Sequence, residues 1–459
     1  MAGLISSLHN SSGALRVHSK GIEVTGKNLA NINNRGYSKE RIEIGARGQI
    51  DTGIATESMG IEAMGLRQNR DTLLDKSVMR ELTATADLEA RKTVLTNAET
   101  SLGQFLDRTK DSTSIQNAIG ANGGAIGDAI TDFFNAWENV SVKPRDIGEQ
   151  LLLLEKAKIL SEKINQTDER LEQLQKDVDA QVNADIGTVN QILAEIAKTN
   201  EYIAKAELNK PFSAVDLRDQ RQTKLEELSK YLDVQFEVIP AGMGQIKVSS
   251  GGVVLVDRNE VPAQLAYNDN TDSSAYGTFT HGTNTFDPIN GKLVAQVESS
   301  TGSVEQARAD IAQLKKALKT EVNAVYTPAE FFKIAAGTGK ISVDVSSVSA
   351  GVNGSNSIAL AVASLGTKTV SGLNTTFNAF FNKTVTTVAQ QLSSTNTRLE
   401  DQKLSEETAI NSRDQYSGVS QDEEITDMMK FQRSFQASAR HINVVDTLLE
   451  QVVNRLGVG

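Results

Sequence analysis

The chain has 459 residues, no cysteine, and a formal net charge of −11 with an isoelectric point of about 5.1. Its length predicts about three domains, and the lack of cysteine excludes disulfides, zinc–thiolate sites and cysteine nucleophiles. The acidic balance and the absence of a basic stripe argue against a nucleic-acid-binding surface. No apolar run approaches the roughly 18 residues of a membrane span, and the N-terminus lacks a signal-peptide pattern, so we expect neither feature.

Residues 1–33 have the pattern of an amphipathic helix. An apolar side chain recurs every seven residues, at Leu8, Leu15, Ile22 and Leu29. The neighbouring series is mostly polar, and each interior glycine costs about 1 kcal/mol relative to alanine. We therefore expect this helix to form only against a partner. The alternative is a frayed terminus in which the spacing is accidental.

Long helices and a β-rich stretch make up the middle of the chain. Helical patterns cover 71–106, 147–207, 216–232, a segment that resumes at Ser303, and 373–411, while short alternating runs predict strands between Asp233 and Val297. Aromatic residues at 5% and only 6 prolines favour long helices over a ligand-binding enzyme core.

The last forty residues predict the partner helix. Two seven-residue apolar series run through it three positions apart, which is the pattern of a coiled-coil seam. The series are Met428, Phe435, Ile442, Leu449 and Leu456, and Phe431, Val445 and Val452. Ser420 with Glu423 predicts a capping box at the start of this helix.

These elements predict a multidomain α+β fold, with terminal coiled-coil helices and a long helical bundle that carries an inserted β-rich domain. The expected assembly segment is 1–38 plus 417–459, the bundle is 39–232 plus 303–416, and the β-rich domain is 233–302. We expect a rod with both termini at one end and the β-rich knob at the other.

No catalytic, cofactor-binding or metal site is predicted. The Gly-x-Gly-Lys run at 337–340 lacks the first glycine and the final Ser or Thr of a phosphate-binding loop, since Ile334 and Ile341 hold those positions. The four histidines lack metal-ligand spacing. No Gly-x-Ser-x-Gly motif occurs, although a Ser/His/Asp triad built from distant residues stays open. The chain therefore has the pattern of a self-assembling structural protein and not of an enzyme.

A loop motif follows the first helix. Ala30, Asn31, Asn33, Gly36 and Tyr37 form the pattern Ala-Asn-x-Asn-x-x-Gly-Tyr. After a Ser- and Asn-rich helix, this motif resembles the start of the axial proteins of the bacterial flagellum, the rod, hook and hook-associated proteins. The closing segments 422–424 and 431–440 are similar to the last helix of that family. The run Leu-Arg-Asp-Gln-Arg at 217–221 is similar to one that follows the long helix in hook-associated members, while Asn34 stands where rod and hook members usually have Thr.

The resemblance implies a flagellar structural protein at the junction between hook and filament. The implied partners are further copies of the chain, the hook protein, the second junction protein (hook-associated protein 3) and an export chaperone on the C-terminal helix, with no nucleic acid and no membrane insertion. The implied location is the extracellular flagellum, after export without a cleaved signal peptide. The alternatives are a hook or distal rod protein, or a surface adhesin or enzyme carried on the β-rich domain.

Overall fold

A computed structural model gives the fold of the chain. It describes residues 2–34, 36–51, 56–103, 126–208, 213–240, 242–269, 276–351 and 355–456. Most of these residues are helical, and the strands form small antiparallel sheets. The predicted α+β class, with long helices and a β-rich insertion, is confirmed.

Ten α-helices, numbered in chain order, lie in the described ranges. They are α1 (Ala2–Ala30), α2 (Thr72–Ser101), α3 (Ile126–Val142), α4 (Ile147–Glu207), α5 (Val215–Ser229), α6 (Lys292–Glu298), α7 (Glu305–Val325), α8 (Ser357–Leu365), α9 (Phe377–Ser417) and α10 (Gln421–Leu456).

Twelve short strands lie between these helices in the same ranges. They are β1 (Glu40–Ala46), β2 (Gln49–Asp51), β3 (Thr56–Ser58), β4 (Ile61–Gln68), β5 (Gln235–Val238), β6 (Ile246–Ser250), β7 (Val253–Asp257), β8 (Leu265–Tyr267), β9 (Phe279–His281), β10 (Asn284–Phe286), β11 (Phe332–Ile334) and β12 (Ile341–Val343). β1 pairs with β4, β2 with β3 and β11 with β12, while two three-stranded sheets have the orders β5-β6-β7 and β10-β9-β8.

Helix α4 is the longest of the described helices. It has 61 residues, so it is about 90 Å long at 1.5 Å per residue. The carboxylate of Asp146 caps its start by accepting the N–H of Gly148 at 2.9 Å. Apolar side chains at helical spacing from Leu153 to Ile203 are buried along it, and most of them belong to one continuous core that also takes in α2, α3, α7 and α9.

An aromatic cluster fills the core near the start of α4. Phe133 and Trp137 are fully buried, with their ring centroids 6.4 Å apart. Phe331 lies 5.4 Å from Trp137 and Phe332 lies 5.4 Å from Phe133. All four rings belong to the continuous core.

The β-rich segment does not form a knob at the end opposite the termini. Asn200 near the end of α4 donates to the carbonyl of Ile246 in β6, and Asn190 donates to that of Leu265 in β8. These strands therefore lie beside the C-terminal half of α4, toward the end where the terminal helices also meet. The predicted layout was wrong because α5 turns back along α4 and delivers the chain to β5 at that end.

The helix expected to resume at Ser303 begins at Lys292. Helices α6 and α7 are joined by a π-helical turn, Ser299–Val304, so the backbone stays helical from Lys292 to Val325. The run of serines with Gly302 looks like a helix break in the sequence because these residues are weak helix formers. The hydroxyl of Thr301 donates to the carbonyl of Val297, four residues earlier. The predicted domain boundary at 302 thus falls inside one continuous helix.

Candidate assembly site: the paired terminal helices

Helices α1 and α10 pack against each other in antiparallel orientation, and we call this pair the terminal hairpin. Asn28 donates to Glu424 at 2.9 Å, and Ser11 Oγ shares a hydrogen bond of 2.9 Å with His441 Nδ1. Between these contacts, Gly21 faces Phe431. Each step backward along α1 equals the step forward along α10, so one register holds over the length of the pair.

Gly21 allows the closest approach in the terminal hairpin. A Cβ atom on Gly21 would lie 2.7 Å from two ring carbons of Phe431, which is closer than a side chain can come without something moving. The absence of a side chain therefore lets the Phe431 ring lie directly on the backbone of α1. The ring of His18 is next to it, with centroids 6.3 Å apart.

The buried face of α1 is made mainly of small and polar side chains. The predicted seam residues Leu8, Leu15, Ile22 and Leu29 are half-buried. The apolar side chains buried most deeply in α1 are instead Val17 and Val24, 2% and 4% exposed. The other buried positions of α1 are Ser11, Gly13, Gly21, Thr25 and Asn28. Helix α1 also packs against β1 and β4, so it is contacted on two sides.

The predicted seam of α10 lies mostly on the face toward α1. Val445 is buried, and Met428, Phe431, Ile442, Leu449 and Val452 are half-buried. Phe435 is at the edge of this face and 38% exposed. The side chain of Leu456 lies outside the described residues. The role of these residues in assembly stays a prediction.

Helix α10 also carries apolar side chains that α1 does not cover. They are 41–59% exposed. They are Ile425, Met429, Val444, Leu448 and Val453. In a single subunit these side chains face solvent, so burying them requires another chain.

Asn28 ties the base of the terminal hairpin together. Its amide group donates to Glu424 and to the carbonyl of Glu40, both at 2.9 Å. Its side-chain oxygen accepts from the hydroxyl of Tyr37 at 2.7 Å and from the backbone N–H of Glu40 at 3.1 Å. Asn28 is 1% exposed, so each of these bonds forms away from water, where losing one is costly.

Lys39 joins the loop after α1 to the start of α10. Its ammonium group lies 2.8 Å from carboxylate oxygens of both Glu423 and Glu424, and its backbone N–H donates to the carbonyl of Ser417. Burial lowers the pKa of Lys39, but the hydrogen bonds and charges of the two glutamates outweigh burial and raise it. At the predicted capping box, the backbone N–H of Glu424 donates to the carbonyl oxygen of Ser420. The Glu423 carboxylate pairs with Lys39.

A second group of charges holds the loop against α5 and the start of α2. Asp219 accepts from Arg70 at 2.7 Å and from Gln68 at 2.8 Å. Burial raises the pKa of Asp219 to about 7, against the opposing charge of Arg70. Burial likewise raises the pKa of Asp75 to about 6. Arg70 also donates to the carbonyl of Gly36 at 2.9 Å, which connects these acids to the loop.

The loop-motif residues have different environments. Gly36 is buried with φ of 101°, a conformation that favours glycine, and a Cβ there would lie 3.0 Å from the Thr223 hydroxyl. Tyr37 donates to Asn28, and burial with nearby carboxylates raises its pKa. Asn31 donates from its side chain to the carbonyl of Lys27 at 2.9 Å. Ala30 and Asn33 are exposed.

Three side chains of the run Leu-Arg-Asp-Gln-Arg, at the start of α5, bond to other elements. Arg218 forms two hydrogen bonds with Glu207 at 2.8 and 2.9 Å, and Arg221 donates to Asn200 and to the carbonyl of Gly244, both at 2.8 Å. Asp219 lies between them in sequence and holds Arg70. The run therefore joins α4, the β-rich segment and the loop of the terminal hairpin.

Among the described residues, no group of three or more His, Asp or Glu side chains is placed to hold a metal ion. In that part of the chain, no helix combines the length and apolar character needed to cross a membrane.

Two family models match the chain. The flagellar hook-associated protein FlgK helical domain matches residues 112–329, and the flagellar basal body rod FlgEFG protein C-terminal segment matches residues 412–456. Flagellar hook-associated protein 1 of Bacillus subtilis (strain 168) is 22% identical to this chain and aligns over 100% of both proteins. These matches support the hook-associated protein 1 family of flagellar axial proteins as the family of this chain.

Further proteins named flagellar hook-associated protein 1 match over a shorter part of the chain. The protein of Escherichia coli (strain K12) is 19% identical over 53% of this chain and 42% of its own length. The protein of Salmonella typhimurium is 23% identical over 46% of this chain and 35% of its own length. The structure of the flagellar hook junction protein FlgK from Burkholderia pseudomallei superposes with a TM-score of 0.47 at 20% identity, and covers 57% of this chain and 47% of that one.

Sequence patterns found the two terminal helices but missed the polar residues that join them. Asn28, Lys39 and Glu424 are buried and bonded across elements that are far apart in sequence. The sequence pattern that could have indicated these residues is a polar side chain on the inner face of an amphipathic helix, as at Asn28. Such a residue usually has a buried partner.

Proposed function

We propose that the chain is a structural, non-enzymatic protein of the bacterial flagellum that assembles through its terminal hairpin at the junction between hook and filament. The observation that carries this is the set of exposed apolar side chains on α10, in a pair of helices held in one register. Burying these side chains between copies gains the hydrophobic free energy that the single subunit leaves unused. The similarity to hook-associated protein 1 over the full length of the chain supports the location.

The proposed partners follow from the same surface. Copies of the chain pack through α1 and α10, with the hook protein on one side and the second junction protein, hook-associated protein 3, on the other. A dedicated export chaperone covers α10 before assembly, because the exposed apolar side chains of α10 would otherwise cause early association. Export to the outside of the cell without a cleaved signal peptide is part of this proposal.

The seam residues and loop motif are proposed to act together. Gly36 accepts a hydrogen bond from Arg70, and Tyr37 donates one to Asn28. These contacts fix the angle between the terminal hairpin and the long-helix bundle at α5. The proposed division is a terminal assembly segment at 1–38 and 417–459, beside a bundle with a β-rich outer segment. The bundle and the β-rich segment share the continuous helix Lys292–Val325.

Deletion of residues 420–459 tests the proposal. The truncated protein should remain folded and soluble, because the main apolar core contains no described residue of α10. It should be exported poorly or fail to enter flagella, leaving hooks without filaments in electron micrographs. Normal filaments in cells that carry only the truncated chain would contradict the proposal. The hook and rod alternatives predict short or absent hooks from the same deletion.

A further inference from the structure

A cleft lies between the β1–β4 hairpin, α5 and the β5–β6 strands, with a volume of about 500 Å³. Its floor is apolar, with Leu225, Phe236 and Ile246 among the lining residues. At its edges Met64 and Val238 are 63% and 54% exposed. We call this the arginine cleft, because four arginines line it, Arg67, Arg70, Arg218 and Arg221, against only Glu43 and Asp75.

Two of these arginines lack a carboxylate partner. Arg67 is exposed and makes no hydrogen bond or ion pair within the described part of the chain. Its direct cross-strand neighbour is Arg41, which also makes no ion pair with a described residue. Like charges placed directly opposite each other destabilise a strand pair. Arg221 is buried, and its two described hydrogen bonds go to neutral oxygens.

The cleft is therefore suited to an apolar side chain surrounded by carboxylates. Helix α9 presents this combination on its outer face. Leu404 is 67% exposed, and exposed acids lie around it at positions that share one face of a helix. We call this set, Glu400, Asp401, Leu404 and Glu407, the acidic knob. None of its carboxylates makes an ion pair with a described residue, whereas the nearby Lys403 is paired with Glu89.

We propose that the acidic knob of one copy of this chain docks into the arginine cleft of a second copy. Leu404 covers the apolar floor beside Met64, and Glu400, Asp401 and Glu407 approach Arg67 and Arg41. Met64 and Leu404 are both largely exposed in the subunit, so the contact is not made within one chain. Because the two surfaces differ, the contact is head-to-tail and links copies into a ring or a helical array. This inference rests on the proposed function, since it supplies a contact between copies outside the terminal hairpin.

Engineered cysteines test this contact cleanly because the chain has no cysteine of its own. A full-length variant that carries both Met64→Cys and Leu404→Cys is expressed in place of the wild-type protein, and isolated flagella are oxidised. The expected result is a ladder of disulfide-linked multimers, since each copy has one cysteine for each neighbour. The matched control pairs Met64→Cys with Ile289→Cys, a position that is also 67% exposed but belongs to neither surface.

The outcomes separate this inference from the proposed function. If wild-type protein is absent from flagella, the proposed function fails and the cysteine test does not apply to them. If the double-cysteine protein enters flagella without forming the ladder, or only as much as the control pair, the docking contact is wrong. Protection of Met64→Cys from thiol reagents without cross-linking to Leu404→Cys means that another segment fills the cleft, which also overturns the proposal.

Charge exchange gives a second readout. Arg67→Glu should lower incorporation into flagella by roughly tenfold, as charge reversal at a close interfacial pair does. Adding Glu400→Arg and Glu407→Arg in the same chain should restore most of it, because the charges that meet at position 67 are then opposite in sign again. Recovery of incorporation is not expected from a defect in folding. Equal loss in the single and the combined variant would contradict the contact.

Discussion

At the scale of single residues, the terminal hairpin depends on what α1 lacks. A helix with glycines and serines inside it is poor by propensity, and each glycine costs about 1 kcal/mol relative to alanine. At Gly21 the glycine has a packing role that offsets this cost, because the Phe431 ring occupies the space of a side chain. At Gly26 no atom lies within 4 Å of the missing Cβ, so that glycine has no such packing role.

The two glycines therefore make a matched pair of variants. Gly21→Ala should weaken the terminal hairpin, because overlap with a packed ring costs about 1–3 kcal/mol and outweighs the gain in helix propensity. Gly26→Ala should stabilise α1 by up to about 1 kcal/mol. Thermal loss of the helical circular-dichroism signal in full-length protein measures both. Equal stabilisation by the two substitutions would show that Phe431 does not lie on α1.

Asp219 predicts a pH dependence that can be isolated by substitution. Its folded pKa of about 7 lies above the unfolded value of about 3.9. The folded state therefore binds this proton more tightly, and the contribution of Asp219 to the free energy of unfolding falls as pH rises from about 4 to about 7. Asp219→Asn removes the titrating group.

Urea unfolding at about pH 4.5 and about pH 7.5 tests this sign. Between these values the wild type should lose about 1–4 kcal/mol relative to Asp219→Asn, from a pKa shift of this size. Glu155→Gln, which alters an exposed acid on α4, is the control and should follow the wild type. Parallel curves for wild type and Asp219→Asn would mean that Asp219 stays ionised across this range.

At the scale of elements, α10 has two apolar faces with different partners. Val445 and Val444 are adjacent and chemically identical, but Val445 is 3% exposed toward α1 while Val444 is 58% exposed on the outer side. One face holds the terminal hairpin together. The other is left for neighbouring copies in the proposed assembly.

Alanine at each of these two valines separates the faces. Val445→Ala should destabilise the terminal hairpin by about 1–2 kcal/mol, the loss of two buried methyl groups. Val444→Ala should change subunit stability by less than about 0.5 kcal/mol, as surface substitutions do, yet reduce incorporation into flagella. Circular dichroism on the subunit and electron microscopy of complemented cells measure the two effects. Normal incorporation of Val444→Ala would argue against the outer face as an assembly surface.

The sequence predicted elements better than the contacts between them. The span 147–207 of α4 could be read directly because its apolar period and charged outer face are local signals. The bond from Asn28 to Glu424 joins residues 396 positions apart, and no local pattern specifies it. The place of the β-rich segment beside the end of α4 depends on how α5 turns back, which is also a long-range property. Helix α6 was missed because a π-helical turn accommodates serines and a glycine that resemble a break.

At the scale of the whole molecule, the terminal hairpin and the main core are separate in their apolar contacts. The continuous core runs through α2 to α9 and includes no described residue of α1 or α10. The terminal hairpin is attached instead through polar and charged groups, with Asn28, Lys39 and Asp219 at the centre. A segment with few buried apolar contacts opens at lower free energy than the core it is attached to.

This separation predicts unequal protection in the free subunit. In hydrogen exchange, amides of α1 and α10 should exchange fastest among the long helices, while the middle of α4, around Ile186–Ile196, should exchange slowest. Brief protease treatment should accordingly remove both terminal helices and leave a product that begins near β1 and ends near Ser417. In assembled flagella the same amides of α10 should become protected, because neighbouring copies then cover the face that carries Val444 and Leu448. Equal protection of α10 and α4 in the free subunit would contradict this prediction. It would mean that the polar contacts of Asn28, Lys39 and Asp219 already hold the terminal hairpin rigid, so that these helices are ordered before assembly.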